Sequence, residues 1–179
     1  MTATVRPEAA NGQRTATGAS GPPPEGERLS QFPFTDIGNG ERIIARHGHD
    51  LRYVRAWKKW LVWDGRRWTL DETGEVDRRA KDTLRELYRE AADADDDKLR
   101  AAIAGWARTS ESNGRIRSML ERASAEPGVT CRPGDLDADP DVLVVRNGTI
   151  DLTTGQLLPH RREDLATKLV DVPLDPDAT

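Results

Sequence analysis

The stretch Trp60-Leu61-Val62-Trp63-Asp64-Gly65-Arg66-Arg67-Trp68-Thr69-Leu70 limits what this chain can become more than any other. Aromatic and β-branched residues favour strands, and an Asp-Gly pair between two such runs suits a type I′ hairpin turn. Side chains alternate between the faces of a strand, so Trp60, Val62 and Asp64 share one face while Leu61 and Trp63 share the other. Each face carries an indole, and at least one tryptophan must therefore be core. With Leu51-Arg52-Tyr53-Val54 just upstream, the segment reads as a small antiparallel sheet in need of cover.

Helices supply that cover. Thr35 can cap a helix over about 36–47, where Ile37, Ile43, Ile44 and His47 recur at helical spacing before Gly48 stops it. The clearest helix spans 76–92, with Val76, Ala80, Leu84, Leu87, Tyr88, Ala91 and Ala92 on one stripe and charged residues opposite. Another runs from about Asp97 to Arg108 through Leu99, Ile103, Trp106 and Ala107. A third starts near Ser110 or Ser112 as cap, carries Ile116, Met119, Leu120 and Ala123, and ends before Pro127-Gly128.

The last third returns to strands at 142–145, 149–152 and 156–160, separated by Arg146-Asn147-Gly148 and Thr153-Thr154-Gly155, which predicts a β-meander. Helix, small antiparallel sheet, three-helix segment and C-terminal β-meander make an α+β fold in one domain, residues 32–179. Residues 1–31, with Gly21-Pro22-Pro23-Pro24-Glu25-Gly26, follow neither period and read as a disordered tail.

At 179 residues the chain fits one domain plus that tail. No apolar run is long enough for a secretory signal or a membrane span, which predicts a cytoplasmic protein without a membrane partner. A lone Cys131 fits a reducing compartment and reads as a bystander. The net charge of −4 does not announce a nucleic-acid binder, but residues 41–70 hold eight Lys/Arg against three Asp/Glu. The excess of Arg over Lys, 22 to 5, together with abundant Ala, Asp and Gly, fits a GC-rich genome better than phosphate recognition.

Catalytic patterns fail one by one. No Gly-Lys dipeptide exists, so there is no P-loop, and ATP and Mg are expected to have no site in this chain. Gly38-Asn39-Gly40 has Ile43 where a dinucleotide fingerprint needs its third glycine. Asp135, Asp137 and Asp139 open like a calcium loop, but Pro140 replaces the required glycine and Arg146 the closing acid. Asp93 to Asp97 fails likewise, with Ala104 in the closing slot. His47, His49, His160 and Cys131 lack zinc spacing, and the helix dipole accounts for His47 at a helix end. The expectation is no catalytic and no metal-binding residue.

One stretch keeps two readings open. Between Arg52 and Trp68, Arg55, Lys58, Lys59, Arg66 and Arg67 interleave with Tyr53, Trp57, Trp60, Trp63 and Trp68. Cations for phosphates and flat rings for bases are the combination of single-stranded nucleic-acid surfaces. A small sheet with a packed core and charged edges has the same composition.

Thr35-Asp36-Ile37-Gly38-Asn39, Arg46-His47-Gly48, Leu51 to Val54, Trp60 to Trp68, Ser110-Glu111-Ser112, and Val145 to Leu152 with Thr154-Gly155 together resemble the phage/plasmid primase family, whose relatives include poxvirus primase-helicases. The similar region, about Phe34 to Asp177, is the domain directly before the superfamily-III helicase. The resemblance implies a role in DNA replication, with ATP and Mg belonging to the helicase. Because the chain stops about where such proteins continue into their motor, it is expected to be a non-catalytic accessory domain, or a truncated fragment of a primase-helicase. It would position DNA or assist motor assembly. Candidate partners are single-stranded or forked DNA, helicase and primase domains or other replication proteins, and a second copy of the chain. Candidate DNA contacts are Lys58, Lys59, Arg66 and Arg67 to phosphates, with Trp57 and Trp68 for stacking. The alternative is a protein-interaction module or gene remnant that ignores DNA.

Overall fold

The computed structural model describes residues 28–175; of the tail expected over 1–31, residues 1–27 lie outside them. Helices and strands alternate by block: α1 (Asp36–His47), β1 (Leu51–Val54), β2 (Lys59–Trp63), β3 (Trp68–Leu70), α2 (Glu75–Ala92), α3 (Asp97–Ser110), α4 (Asn113–Ala123), β4 (Thr130–Cys131), β5 (Val142–Val145), β6 (Gly148–Asp151) and β7 (Gln156–Leu158). This is the α+β arrangement expected from the sequence. Caps explain the helix starts. The Thr35 hydroxyl accepts from the Gly38 amide, and Asp96 and Ser112 accept from Leu99 and Arg115.

The last residues of the stretch read as a tail are among the described ones. Leu29–Gln31 form a short 3-10 turn, Leu29 is buried, and the Leu29 and Ser30 amides donate to the Glu90 carboxylate at 2.5 and 2.7 Å. These residues therefore pack against α2, which one apolar residue in a polar run does not announce.

The first sheet has the order β3-β2-β1-β4. It is mixed rather than purely antiparallel: β1 pairs antiparallel with β2 but parallel with β4, Tyr53 opposite Thr130 and Val54 opposite Cys131. Both of its faces are covered. Leu51, Trp60 and Val62 pack into the helical core with Ile43, Leu84, Leu87, Ile103 and Met119. On the other face Val54, Leu61 and Trp68 cluster with Cys131 and Leu136. Cys131 is buried, which pushes its thiol pKa up and leaves it inert.

A C-terminal strap over 162–170 closes that second face. The Trp68 amide donates to the Ala166 carbonyl (2.9 Å) and the Trp68 indole to the Arg162 carbonyl (2.9 Å). Arg162 in turn bonds Asp50 (2.7 Å), whose other oxygen lies 3.5 Å from Arg79 of α2. The meander β5-β6-β7 forms as expected, with Val170 bridging parallel to Val145 at its edge. Its first turn differs: Val145 pairs with Gly148, so Arg146 and Asn147 are the turn residues and none of them takes a positive φ. Gly148 instead lies in β6, where a Cβ would stand 2.6 Å from Leu157 Cδ1 and the Leu158 carbonyl.

The motifs that carry the family resemblance meet inside this fold. Asn39 is fully buried; its Oδ1 accepts from Arg42 Nη1 and Trp106 Nε1, and its Nδ2 donates to Ser110 Oγ, each at 3.0 Å. Arg42, also buried, reaches the carbonyls of Leu29 (2.8 Å) and Phe32. Burial pushes its pKa down to about 10 against the opposing pull of Glu90 and Glu41. Two of the motifs thus join α1 to α3.

Candidate nucleic-acid interface

The two hairpin turns of the first sheet lie at opposite ends of β2, and both expose cations. In the β1–β2 turn the Trp57 amide donates to the Val54 carbonyl (3.1 Å) and the Lys58 amide to Arg55 (3.2 Å). Lys58 takes φ +53, a left-handed conformation uncommon for residues with a side chain. The result presents Arg55, Trp57, Lys58 and Lys59 to solvent, and the three cations form no ion pair among the described residues.

The β2–β3 connection is a four-residue loop rather than the expected two-residue type I′ turn. Asp64 Oδ1 accepts from the Arg66 and Arg67 amides (2.8 and 2.9 Å), and only Gly65 has a positive φ. An Asp side chain bonding the backbone two and three residues on replaces the mirror-image turn. Arg66 projects into solvent. Arg67 folds back, donating to the Thr167 carbonyl (3.3 Å) with Asp64 3.7 Å from its Nε.

Trp68 must be removed from the stacking candidates. It is 0% exposed, crossed by Arg52 at 4.5 Å and edge-on to Trp63 at 5.6 Å, so no ring face is open to a base. Trp57, at 47% exposed, remains. Three of the other candidates line two separate clefts, while Lys59 and Arg66 lie in neither. Trp57 and Arg67 line a 510 Å³ cleft along β3 with Leu61, Leu70, Glu72 and Thr167. Lys58 and Arg55 line a 590 Å³ groove against the end of α4, where Arg122 and Tyr53 meet Glu121 and Glu126.

Three residues enter this surface from sequence positions that gave no signal. Thr167 and Glu72 wall the first cleft. Arg146, in the meander turn, bonds Asp171 at 2.9 Å, and that contact, aided by the charges of Arg66 and Arg67, holds the Asp171 carboxyl below its usual pKa. Arg146 bonds that carboxylate, whereas Arg66 and Arg67 act on it only through their charge from the β2–β3 turn. Nothing local in the sequence joins positions 66 and 146.

Among the described residues no three His, Cys, Asp or Glu side chains are placed to share a metal ion. Asp137, a letter of the calcium-like run, is engaged by Thr167 instead, through Oγ1 (2.6 Å) and the amide (2.7 Å). His47 is not charged by the helix end as its position suggested. Burial first, then Arg79 and Arg46, push its pKa down to about 4. Among the described residues no helix is long and apolar enough to cross a membrane.

Fold and surface define a small α+β module: a sheet with helices on one face, a strap on the other, and cations on its two turns. The chain belongs to the D5 N terminal like family, which it matches over residues 40–179. This is the domain that precedes the helicase in phage and poxvirus primase-helicase proteins, and membership associates the chain with DNA replication. No curated protein matches it.

Proposed function

We propose that this chain is a DNA-contacting accessory module of a phage- or plasmid-type primase-helicase, positioning DNA beside the motor without chemistry of its own. The carrying observation is that Lys58 and Lys59 at one turn and Arg66 at the other are exposed and form no ion pair among the described residues. Cations not committed to carboxylates are free to replace the counterions of a phosphate backbone. Arg67, though 3.7 Å from Asp64, adds its charge from the cleft wall, and Trp57 is the ring available for stacking. Helicase and primase domains, or a second copy of the chain, are its protein partners in this reading. ATP and Mg are handled by the motor.

The test is titration of labelled single-stranded and forked oligonucleotides at low salt. Binding is expected to weaken as salt rises, and the paired change Arg66→Ala with Arg67→Ala is expected to cost about tenfold or more. Undetectable binding at low salt, or affinity unchanged in the double variant, contradicts the proposal.

A further inference from the structure

The cleft along β3 is furnished beyond what phosphate contact requires. Its volume of 510 Å³ falls within the range of small-ligand sites, about 300–1,000 Å³. Trp57 offers a half-exposed indole at its side, and Leu70, 45% exposed, continues the apolar surface from Leu61. Arg67 and Glu72 flank β3 at its two ends. The Glu72 side chain is exposed and has no hydrogen bond or ion pair among the described residues. The guanidinium of Arg67 spends one donor on the Thr167 carbonyl, and its buried Nε lies 3.7 Å from Asp64 Oδ2.

Resting on the DNA reading above, we propose that this cleft seats one unstacked base of single-stranded DNA, with its ring against Trp57, its phosphate toward Arg67 and an exocyclic amine donating to Glu72. Charge sorts the two ends. A carboxylate repels a phosphate and accepts from an amine, whereas a guanidinium has five donors for an anion. The base edge therefore faces Glu72 and the backbone faces Arg67. Cytosine N4 and adenine N6 offer the amine; thymine presents carbonyl oxygens in its place. A duplex keeps its bases stacked and paired, and extruding one costs free energy that a single strand does not spend. The cleft thus selects single strands over duplex, and cytosine or adenine over thymine.

The experiment compares oligo-dC, oligo-dT and a duplex of equal length at one fixed salt concentration. Binding is read by anisotropy of a label on the DNA and by tryptophan quenching. The expected result is tighter binding of oligo-dC than of oligo-dT, a preference lost in Glu72→Gln. Trp57→Ala is expected to lower single-strand affinity on the order of tenfold, Trp57→Tyr to retain most of it, and duplex binding to be unaffected by either. Trp57 and Glu72 are exposed, so these variants fold, which circular dichroism verifies. Salt-dependent binding that is equal for all three DNAs and indifferent to Trp57→Ala overturns the base site while leaving the phosphate contacts standing. No binding to any DNA overturns both.

Discussion

The Thr167 hydroxyl donates to Asp137 Oδ2 at 2.6 Å while the Thr167 amide donates to Asp137 Oδ1 at 2.7 Å, so one carboxylate clasps the strap that covers the sheet. Burial opposes ionisation of Asp137, but the Thr167 hydroxyl and the Thr167 and Lys168 amides outweigh it and hold its pKa below the usual value. The same Thr167 offers its carbonyl to Arg67, so the clasp also sets one wall of the β3 cleft. Asp137→Ala leaves three strap donors without their acceptor. A loss of about 1–3 kcal/mol in unfolding free energy is expected, with red-shifted tryptophan emission as Trp68 is uncovered. Denaturant titration and fluorescence check it; an unchanged midpoint would show that the clasp contributes nothing.

Asn39 joins α1 to α3 through three buried hydrogen bonds. Asn39→Ala strands Trp106 Nε1 and leaves Arg42 and Ser110 each one partner short, which is expected to cost about 3 kcal/mol. Thermal unfolding measures this directly. A loss under 1 kcal/mol would mean that the network tolerates water in place of the amide.

His47 makes stability depend on pH. Its folded pKa, about 4, lies below the ordinary 6.5, so between those values the unfolded chain binds more protons than the folded one. Its contribution is complete above pH 6.5, is lost as pH falls from 6.5 to 4, and stays lost below that, about 3 kcal/mol at full extent. Arg79 and Arg46 oppose protonation of the ring while Asp82, its carboxyl held below the usual pKa beside Arg46, favours it. His47→Gln is expected to flatten the melting temperature between pH 6.5 and 4 relative to wild type. Parallel curves for the two proteins would remove His47 from the account.

Gly148→Ala forces a methyl group into Leu157 Cδ1 and the Leu158 carbonyl, both 2.6 Å from its ideal position. A cost of about 2 kcal/mol is expected, since packing β7 against β6 leaves no room. Chemical denaturation at neutral pH checks it.

The four helices and the β-meander were legible because their apolar residues keep one period over many positions, as Val76 to Ala91 do along α2. The two-residue strand β4 has no period to read, and its parallel pairing joins Tyr53 to Thr130 across three helices. Trp57 and Trp68 look alike in sequence, each beside a cation. What separates them is the strap at 162–167, about one hundred residues from Trp68, which buries one indole and leaves the other in solvent. The basic residues of the candidate interface were readable from composition; Glu72 and Thr167, which shape its cleft, were not. The Asn-Gly turn was misplaced by one residue because close strand packing, not turn geometry, requires Gly148.

The central claim is that the cations of the two hairpin turns meet phosphates. The most direct measurement is the slope of log affinity against log salt for a single-stranded oligonucleotide, in wild type and in variants with Lys58 and Lys59, or Arg66 and Arg67, changed to Ala. Each phosphate contact on a single strand contributes about 0.7 to that slope. Each pair is predicted to lower its magnitude by about 1.4, with weaker binding throughout. Slopes identical in all three proteins would contradict the account.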